Sequence, residues 1–525
     1  MSKSIYLIIM FPIFCFSQIE VSNSQYSFGG SMIDEIKDVA RVSDGYLLLL
    51  SSTSGADGNK TLANFGDEDF WLVKTDFSYN IQWQEVYGGS LQDRPYDILE
   101  LSDGNYLLSG LSSSGISGNK TTPNNGYEDF YCVKVDGTGN IIWDITFGGD
   151  STDVAFCTIE LNNEIYIVGQ TFSGISGNKM TSLKAKSDCW IIKIDLGGNK
   201  IWEKTYGGDE VENQSSITSI SNLLFVAIQS NSTASFDKTI TTYGDMDSWV
   251  LKLDTSGTIL DQNVFGGDTY DANPIIVSDG TDLLLSTTSL SGTSGNKSSS
   301  NFGVVDYWLL KIDTTLNIIF DYVYGGDDAD ECYGLSILNN GDYCLYGRSR
   351  SNISGIKTSN NFDQIGIPVP KYDIWFLGLD TIGNVLWQST FGGINNDNPI
   401  KIIEDPNYIL NILGYSSSNQ DGNKTSTQYG LGDGWVIKLE TNLSINENSE
   451  LISIVAYPNP TNSIIQLENN SNSYLEMELV DQRGNLLRKF SLKKHSQYQL
   501  DLDPHPTGVY YLKSGSSKTI KIVKQ

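Results

Sequence analysis

The sequence predicts an all-β protein. A seven-bladed β-propeller, with four antiparallel strands per blade and its ring closed by the N-terminal strand, is followed by a small Ig-like β-sandwich. Three observations predict it. A Phe/Tyr-Gly-Gly motif recurs with its glycines at 29–30, 88–89, 148–149, 207–208, 266–267, 325–326 and 392–393. Each interval holds four short apolar runs separated by turn signals, the content of one propeller blade. The last repeat is one strand short, and residues 19–28 supply a strand with no blade of its own. Joining the two closes the ring and removes the exposed edges of an open array.

The chain opens with Lys3, an apolar run over residues 5–16, and small residues Cys15 and Ser17. This is the pattern of a secretory signal peptide over 1–18, cleaved before Gln18. The apolar run is short for a membrane span. A lipoprotein reading through Cys15 fits poorly, because Pro12, Ile13 and Phe14 are bulky for a lipobox. No later stretch has about 18 consecutive apolar residues, so no membrane span is expected.

The propeller is expected over 19–440. In its first repeat the strands are read as 38–42, 46–51, 69–75 and 81–87. Ser43-Asp44-Gly45 makes the first tight turn, and Ser102-Asp103-Gly104 and Asn340-Gly341-Asp342 repeat it. Asp136-Gly137-Thr138-Gly139-Asn140 shows the turn between strands three and four. One step between glycine pairs is longer, because residues 365–370 carry Pro368 and Pro370 and read as an inserted loop.

Three positions recur with functional groups. An acid follows the second glycine by four residues: Asp34, Asp93, Asp153, Glu212, Asp271, Asp330 and Asp397. Placed in the blade-to-blade loop, these acids would ring one mouth of the channel and could hold a structural cation such as calcium. The alternative is that each accepts backbone N–H bonds in its own loop, and a group present in every blade is explained first by the blade. A lysine recurs in the loop between strands two and three: Lys60, Lys120, Lys179, Lys238, Lys297, Lys357 and Lys424. An aspartate opens strand three: Asp69, Asp129, Asp188, Asp247, Asp306, Asp373 and Asp433. A Lys–Asp pair pinning each long loop is the simplest reading. Trp71, Trp190, Trp249, Trp308, Trp375 and Trp435 read as core between blades. All the recurrent charges fall on the face with the long loops, where binding function resides.

The net charge of −29 disfavours nucleic acid and anionic membranes as partners. Five cysteines remain beyond the leader, too sparse for a disulfide framework; Cys332 and Cys344 flank one turn, and buried free thiols are the expected state. Both histidines, His495 and His505, lie near the C-terminus, so the propeller has no His-based triad and no His-ligated metal. Its four arginines are Arg41, Arg94, Arg348 and Arg350. No phosphate-binding or dinucleotide motif is present.

The repeat resembles bacterial propeller-repeat families that begin Tyr-Gly-Gly…Asp. It is more distantly similar to quinoprotein-type blades through Asp76/Trp83, Asp136/Trp143, Asp195/Trp202 and Asp380/Trp387. The resemblance implies architecture and no cofactor. Residues 441–450 read as a linker. From 451 to 525 the chain carries Tyr457-Pro458-Asn459-Pro460, then Val480-Asp481-Gln482-Arg483-Gly484-Asn485, then Gly508-Val509-Tyr510-Tyr511-Leu512, and ends Lys521-Ile522-Val523-Lys524. This resembles the C-terminal sorting domain of the Bacteroidetes type IX (Por) secretion system. The resemblance implies export through periplasm and outer membrane to the surface or medium. The implied partners are the translocon and a sortase-like peptidase. Together these readings favour a secreted binding module with an unidentified extracellular ligand. A carboxylate-dependent polysaccharide hydrolase or lyase, and a purely structural surface protein, are the alternatives.

Overall fold

The computed structural model describes residues 22–362, 371–406 and 408–440. In the C-terminal part it describes 454–457, 461, 463–469, 474–481, 486–494, 496–514 and 518–524. The leader, the inserted loop at 365–370, the linker and Pro458-Asn459-Pro460 lie outside the described residues. The chain divides into two compact units, 1–441 and 442–525.

The first unit contains seven four-stranded antiparallel sheets. Blade 1 consists of Asp34–Val42, Gly45–Ser52, Asp69–Thr75 and Ile81–Tyr87, in that spatial order. Blades 2 to 6 repeat it. Blade 7 consists of Asp397–Asp405, Ile409–Ser416 and Asp433–Glu440, and its fourth strand is Ser22–Phe28. That strand pairs antiparallel with Asp433–Glu440, from Ser22 opposite Glu440 to Phe28 opposite Gly434. The first strand of each blade packs against the first strand of the next, and Asp397–Asp405 packs against Asp34–Val42, so the first strands form a closed inner ring.

Asp34 stands opposite Ser52 at one end of blade 1, and Val42 stands opposite Gly45 at the other. The blade-to-blade loops and the long loops therefore share one face, and the tight turns share the other. The first strand is longer than its sequence suggests, because it begins at Asp34 rather than residue 38. The glycine pair turns the chain, and the carboxylate that caps this corner is already the first residue of the strand.

Each interface between blades is a hydrophobic layer. Trp71 of blade 1 sits in one cluster with Leu413 and Val436 of blade 7, and Trp308 of blade 5 joins Phe225 and Val250 of blade 4. All six recurrent tryptophans are fully buried between blades. The five described cysteines are free thiols, four of them buried. Cys332 faces Gly347 and Cys344 faces Ser336 in the ladder, so the two do not meet.

The second unit has two sheets, one of three strands and one of four. Ile465, Leu467 and Leu500 of the first meet Met477, Leu479, Leu512 and Ile522 of the second in one buried cluster, which makes a β-sandwich. Among the described residues no helix is long and apolar enough to cross a membrane.

Candidate functional site

The recurrent charged residues build the junctions between blades. Asp34 is fully buried, and its Oδ2 accepts the Gly30 N–H at 2.7 Å and the Ser54 hydroxyl at 2.6 Å. The same pair of bonds recurs at Asp93 with Gly89 and Ser114, at Asp153 with Gly149 and Ser173, at Asp271 with Gly267 and Ser291, at Asp330 with Gly326 and Ser351, and at Asp397 with Gly393 and Ser418. Glu212 is one methylene longer. It still takes the Gly208 N–H, but reaches back to Ser230 for its hydroxyl. All seven acids are fully buried, so they do not ring the channel mouth as their spacing suggests. The six aspartates hold their corners through Oδ2, and their buried Oδ1 atoms lack a hydrogen-bond partner among the described residues.

The aspartates that open strand three are equally buried. Asp69 Oδ2 accepts the N–H groups of Phe65 and Gly66 at 2.5 and 3.1 Å and so anchors the end of the long loop. Asp129, Asp188, Asp247, Asp306, Asp373 and Asp433 anchor their own loops in the same way. Asp69 Oδ1 lies against the next junction: a Cβ on Gly88 would stand 2.1 Å from it and 2.8 Å from Asp93 Oδ2. The first glycine is thus required by a close approach, and at Gly88 a φ of +154° adds to the requirement. Burial pushes the Asp69 carboxyl up to about 7, and the neighbouring Asp93 adds to it. Asp247 and Asp306 are also raised to about 7, and Asp129, Asp188 and Asp433 to about 6, all chiefly by burial.

The loop lysines do not pair with these acids; no ion pair joins them among the described residues. Lys60 Nζ donates to the carbonyls of Ser54 and Leu62 and to Asn64 Oδ1, at 2.7–3.0 Å, and stands 5.8 Å from the Trp71 ring centre. Lys120, Lys179, Lys238, Lys297, Lys357 and Lys424 likewise lie over the aromatic ring of their own third strand. The lysine is a three-donor cap for a loop that has no strand partner. A group the sequence reading left out is the asparagine before it. Asn59 accepts the Gly29 N–H and donates to the Ser27 carbonyl, which stitches its loop to the preceding blade. The Gly-Asn-Lys triplet was the available signal.

The inner ring differs from these junctions. Every first strand carries an irregularity in its pairing with the second strand. It falls between Ile36 and Asp38, Pro95 and Asp97, Ala155 and Cys157, Asn213 and Ser215, Ala272 and Ile275, Cys332 and Gly334, and Pro399 and Lys401. A bulge leaves its extra residue without a ladder partner and re-aims its side chain. Here the extra residues are Lys37, Tyr96, Phe156, Gln214, Asn273 with Pro274, Tyr333 and Ile400. Those of blades 2 to 7 line one cavity of about 380 Å³. Tyr96 and Phe156 meet edge to face at 5.7 Å between ring centres. Asn273 has φ of +56°, a conformation that asparagine tolerates better than most residues.

The residues after the bulges link neighbouring inner strands. Asp38 accepts the Ile98 N–H at 3.3 Å, and Asp97 accepts both N–H and hydroxyl of Thr158. Lys401 Nζ lies 3.0 Å from Asp38. Burial raises the Asp97 carboxyl to about 7, with Asp38 adding to the shift. None of these positions was marked by the repeat, because no residue type recurs there in every blade. Among the described residues, no three His, Cys, Asp or Glu side chains gather as a metal site would require.

Residues 455–525 match the family model described as "Secretion system C-terminal sorting domain". The C-terminal sandwich is therefore a type IX sorting domain, and it implies export, contact with that secretion machinery, and a secreted or cell-surface location. No curated protein matches the chain in sequence. Solved structures similar in part include Kuenenia stuttgartiensis hydrazine synthase, at 12% identity and a TM-score of 0.42, covering 72% of this chain and 92% of that one. The Neurospora crassa Pan2 WD40 domain is similar at 9% identity and a TM-score of 0.37, covering 78% and 90%. Quinohemoprotein alcohol dehydrogenase from Comamonas testosteroni matches at 10% and 0.37, covering 80% and 76%. Likeness at this level says nothing of chemistry.

Proposed function

We propose that this type IX cargo is an extracellular binding module whose ligand enters the central channel from the long-loop face. One observation carries the reading. The fold repeats the bulge in all seven blades but varies the residue on it, with only tyrosine used twice, while the junction acids around it hardly vary. Residues that served only the blade would recur as the junction residues do. The cavity is of the size that holds small organic ligands, and it combines aromatic surface with the amides of Gln214 and Asn273. After export, the sorting domain engages the translocon and a sortase-like peptidase, which releases or attaches the propeller.

The hydrolase alternative would draw on Asp38 and Asp97. Both are committed to amides of the next blade, and Asp38 also to Lys401, which favours binding over catalysis. The test is a titration of the protein against a panel of soluble oligosaccharides, followed by calorimetry. A binder is expected, and Tyr96→Ala or Tyr333→Ala is expected to weaken it at least tenfold with the melting temperature kept. Binding indifferent to every bulge substitution would overturn the channel as the site. Removal of 455–525 is expected to leave the propeller in the periplasm.

A further inference from the structure

Blade 6 departs from its neighbours where its second strand leaves the sheet. Arg348 stands where the other blades have Ser51, Leu111, Gln170, Gln229, Thr288 and Tyr415, as their places in the ladder show. Arg350 stands two residues on. Its N–H bonds the blade-to-blade loop at Ala329, as Thr53, Ser113, Phe172, Asn231, Leu290 and Ser417 bond theirs. No other blade has a cation at either position. Both arginines therefore belong to this blade alone and are not part of the repeating frame.

The two guanidinium groups continue outward from the channel. Arg348 lies 5.2 Å from the ring centre of Tyr333, the bulge residue of blade 6, and 4.1 Å from that of Tyr372. Arg350 also lies 4.1 Å from Tyr372. Tyr333, Arg348, Tyr372 and Arg350 thus form an alternating series of rings and cations. Glu331 balances the inner cation. One of its oxygens takes two Arg348 donors at 2.7 and 3.1 Å, and the other takes the Tyr372 hydroxyl. Glu331 pairs with Arg348 and, among the described residues, makes no ion pair with Arg350.

Arg350 is exceptional in charge. The other three arginines of the propeller each bind a carboxylate: Arg41 binds Asp405, Arg94 binds Glu68 and Arg348 binds Glu331. Among the described residues Arg350 has no ion pair and no hydrogen bond to its guanidinium, and its Nε is a buried donor without a partner. This holds in a chain of net charge −29, where acids are abundant. Contact with the Tyr372 ring holds the guanidinium in place, and a held fork of donors fits a carboxylate or sulfate bidentately.

We propose that Arg350, held on Tyr372, is the anion subsite of the channel ligand, and that this ligand is an acidic oligosaccharide. The inference rests on the channel reading. The anionic group, a uronate carboxylate or a sulfate ester, sits on Arg350. The sugar rings extend inward over Tyr333 toward the aromatic and amide side chains of the bulges. Aromatic faces take the C–H surface of a sugar ring, and Gln214 and Asn273 take its hydroxyls.

Calorimetry with the full chain tests it, using a hexuronate oligosaccharide, its neutral methyl ester, a sulfated oligosaccharide and a Glu-rich peptide. An acidic sugar is expected to bind at least tenfold tighter than the ester. Arg350→Gln is expected to erase that preference with the melting temperature unchanged, and Arg350→Lys to keep part of it. Whichever of carboxylate and sulfate binds tighter identifies the source of the anion. Equal affinity for acid and ester, or a preference that survives Arg350→Gln, would overturn the inference. Tighter binding of the peptide would overturn the assignment to sugars. If Tyr96→Ala weakens acid and ester alike and no preference exists, the channel stands and the anion subsite falls. If none of the probes binds, both fall.

Discussion

The junctions between blades and the wall of the channel lie two or three residues apart on each first strand and follow opposite rules. At a junction the same glycine pair, acid, serine and aspartate recur in nearly every blade, and all are buried. On the channel wall the backbone irregularity recurs in every blade, while the side chain on it changes and only tyrosine appears twice. The junction is where an added methyl group has no room. The wall opens on a cavity, so its side chains vary without disturbing the frame. Repetition here marks what holds the ring together, and variation on a repeated backbone marks what the ring presents.

The largest effect should come from the junction core. Trp249→Ala removes a fully buried side chain between blades 3 and 4 and should cost about 3–5 kcal/mol in denaturant unfolding. A loss under about 1 kcal/mol would mean the blades do not depend on this layer. Next, Gly88→Ala sets a Cβ 2.1 Å from Asp69 Oδ1, and the overpacking should cost about 1–3 kcal/mol.

The buried aspartates make a third prediction. Six of the seven that open strand three have folded values of about 6 to 7, above the ordinary 3.8. A raised folded value means the native state holds the proton more tightly than the unfolded chain. That stability is complete below the unfolded value and is lost as pH rises through the folded one. The melting temperature should therefore fall between pH 5 and pH 8. The buried Lys60 and Lys238, lowered to about 8, act oppositely and only at higher pH, up to the ordinary 10.5. A melting temperature that rises from pH 5 to 8, and drops on chelation, would place a cation at the junctions and remove the contrast drawn above. The smallest effect on stability should be Phe156→Ala. It lies half-buried on the channel wall and should shift stability by about 1 kcal/mol or less while weakening ligand binding. A stability loss as large as that of Trp249→Ala would make the wall part of the frame.

Most of the frame was legible in the sequence because it recurs. The spacing of glycine pairs counts the blades, the orphan N-terminal strand closes them, and the tryptophans fall where strands must be buried. The loop lysine was legible as structural, but its partners were not. The period shows that Lys60 and Asp69 accompany each other; it does not show that carbonyls of the intervening loop satisfy the lysine. The bulges were illegible for a physical reason. A bulge is one or two residues without a ladder partner, and with Lys37, Tyr96, Phe156, Gln214 and Ile400 among the seven examples no residue type announces it. Arg348 and Arg350 were visible as two of only four arginines in the propeller. Their common ring, Tyr372, is more than twenty residues away in sequence.

The clasp formed by Ser22–Phe28 has a consequence for how the molecule is made. The strand synthesised first is partnered by one that ends at Glu440, so it must wait for almost the whole propeller to emerge. Until then blade 7 has no outer strand, and both ends of the growing ring are open edges. The pairing is the longest-range one in the ring. It brings Ser22 opposite Glu440, so the ends of the described ring are neighbours. A chain joined there by a short loop and cut between two other blades should therefore fold to the same ring.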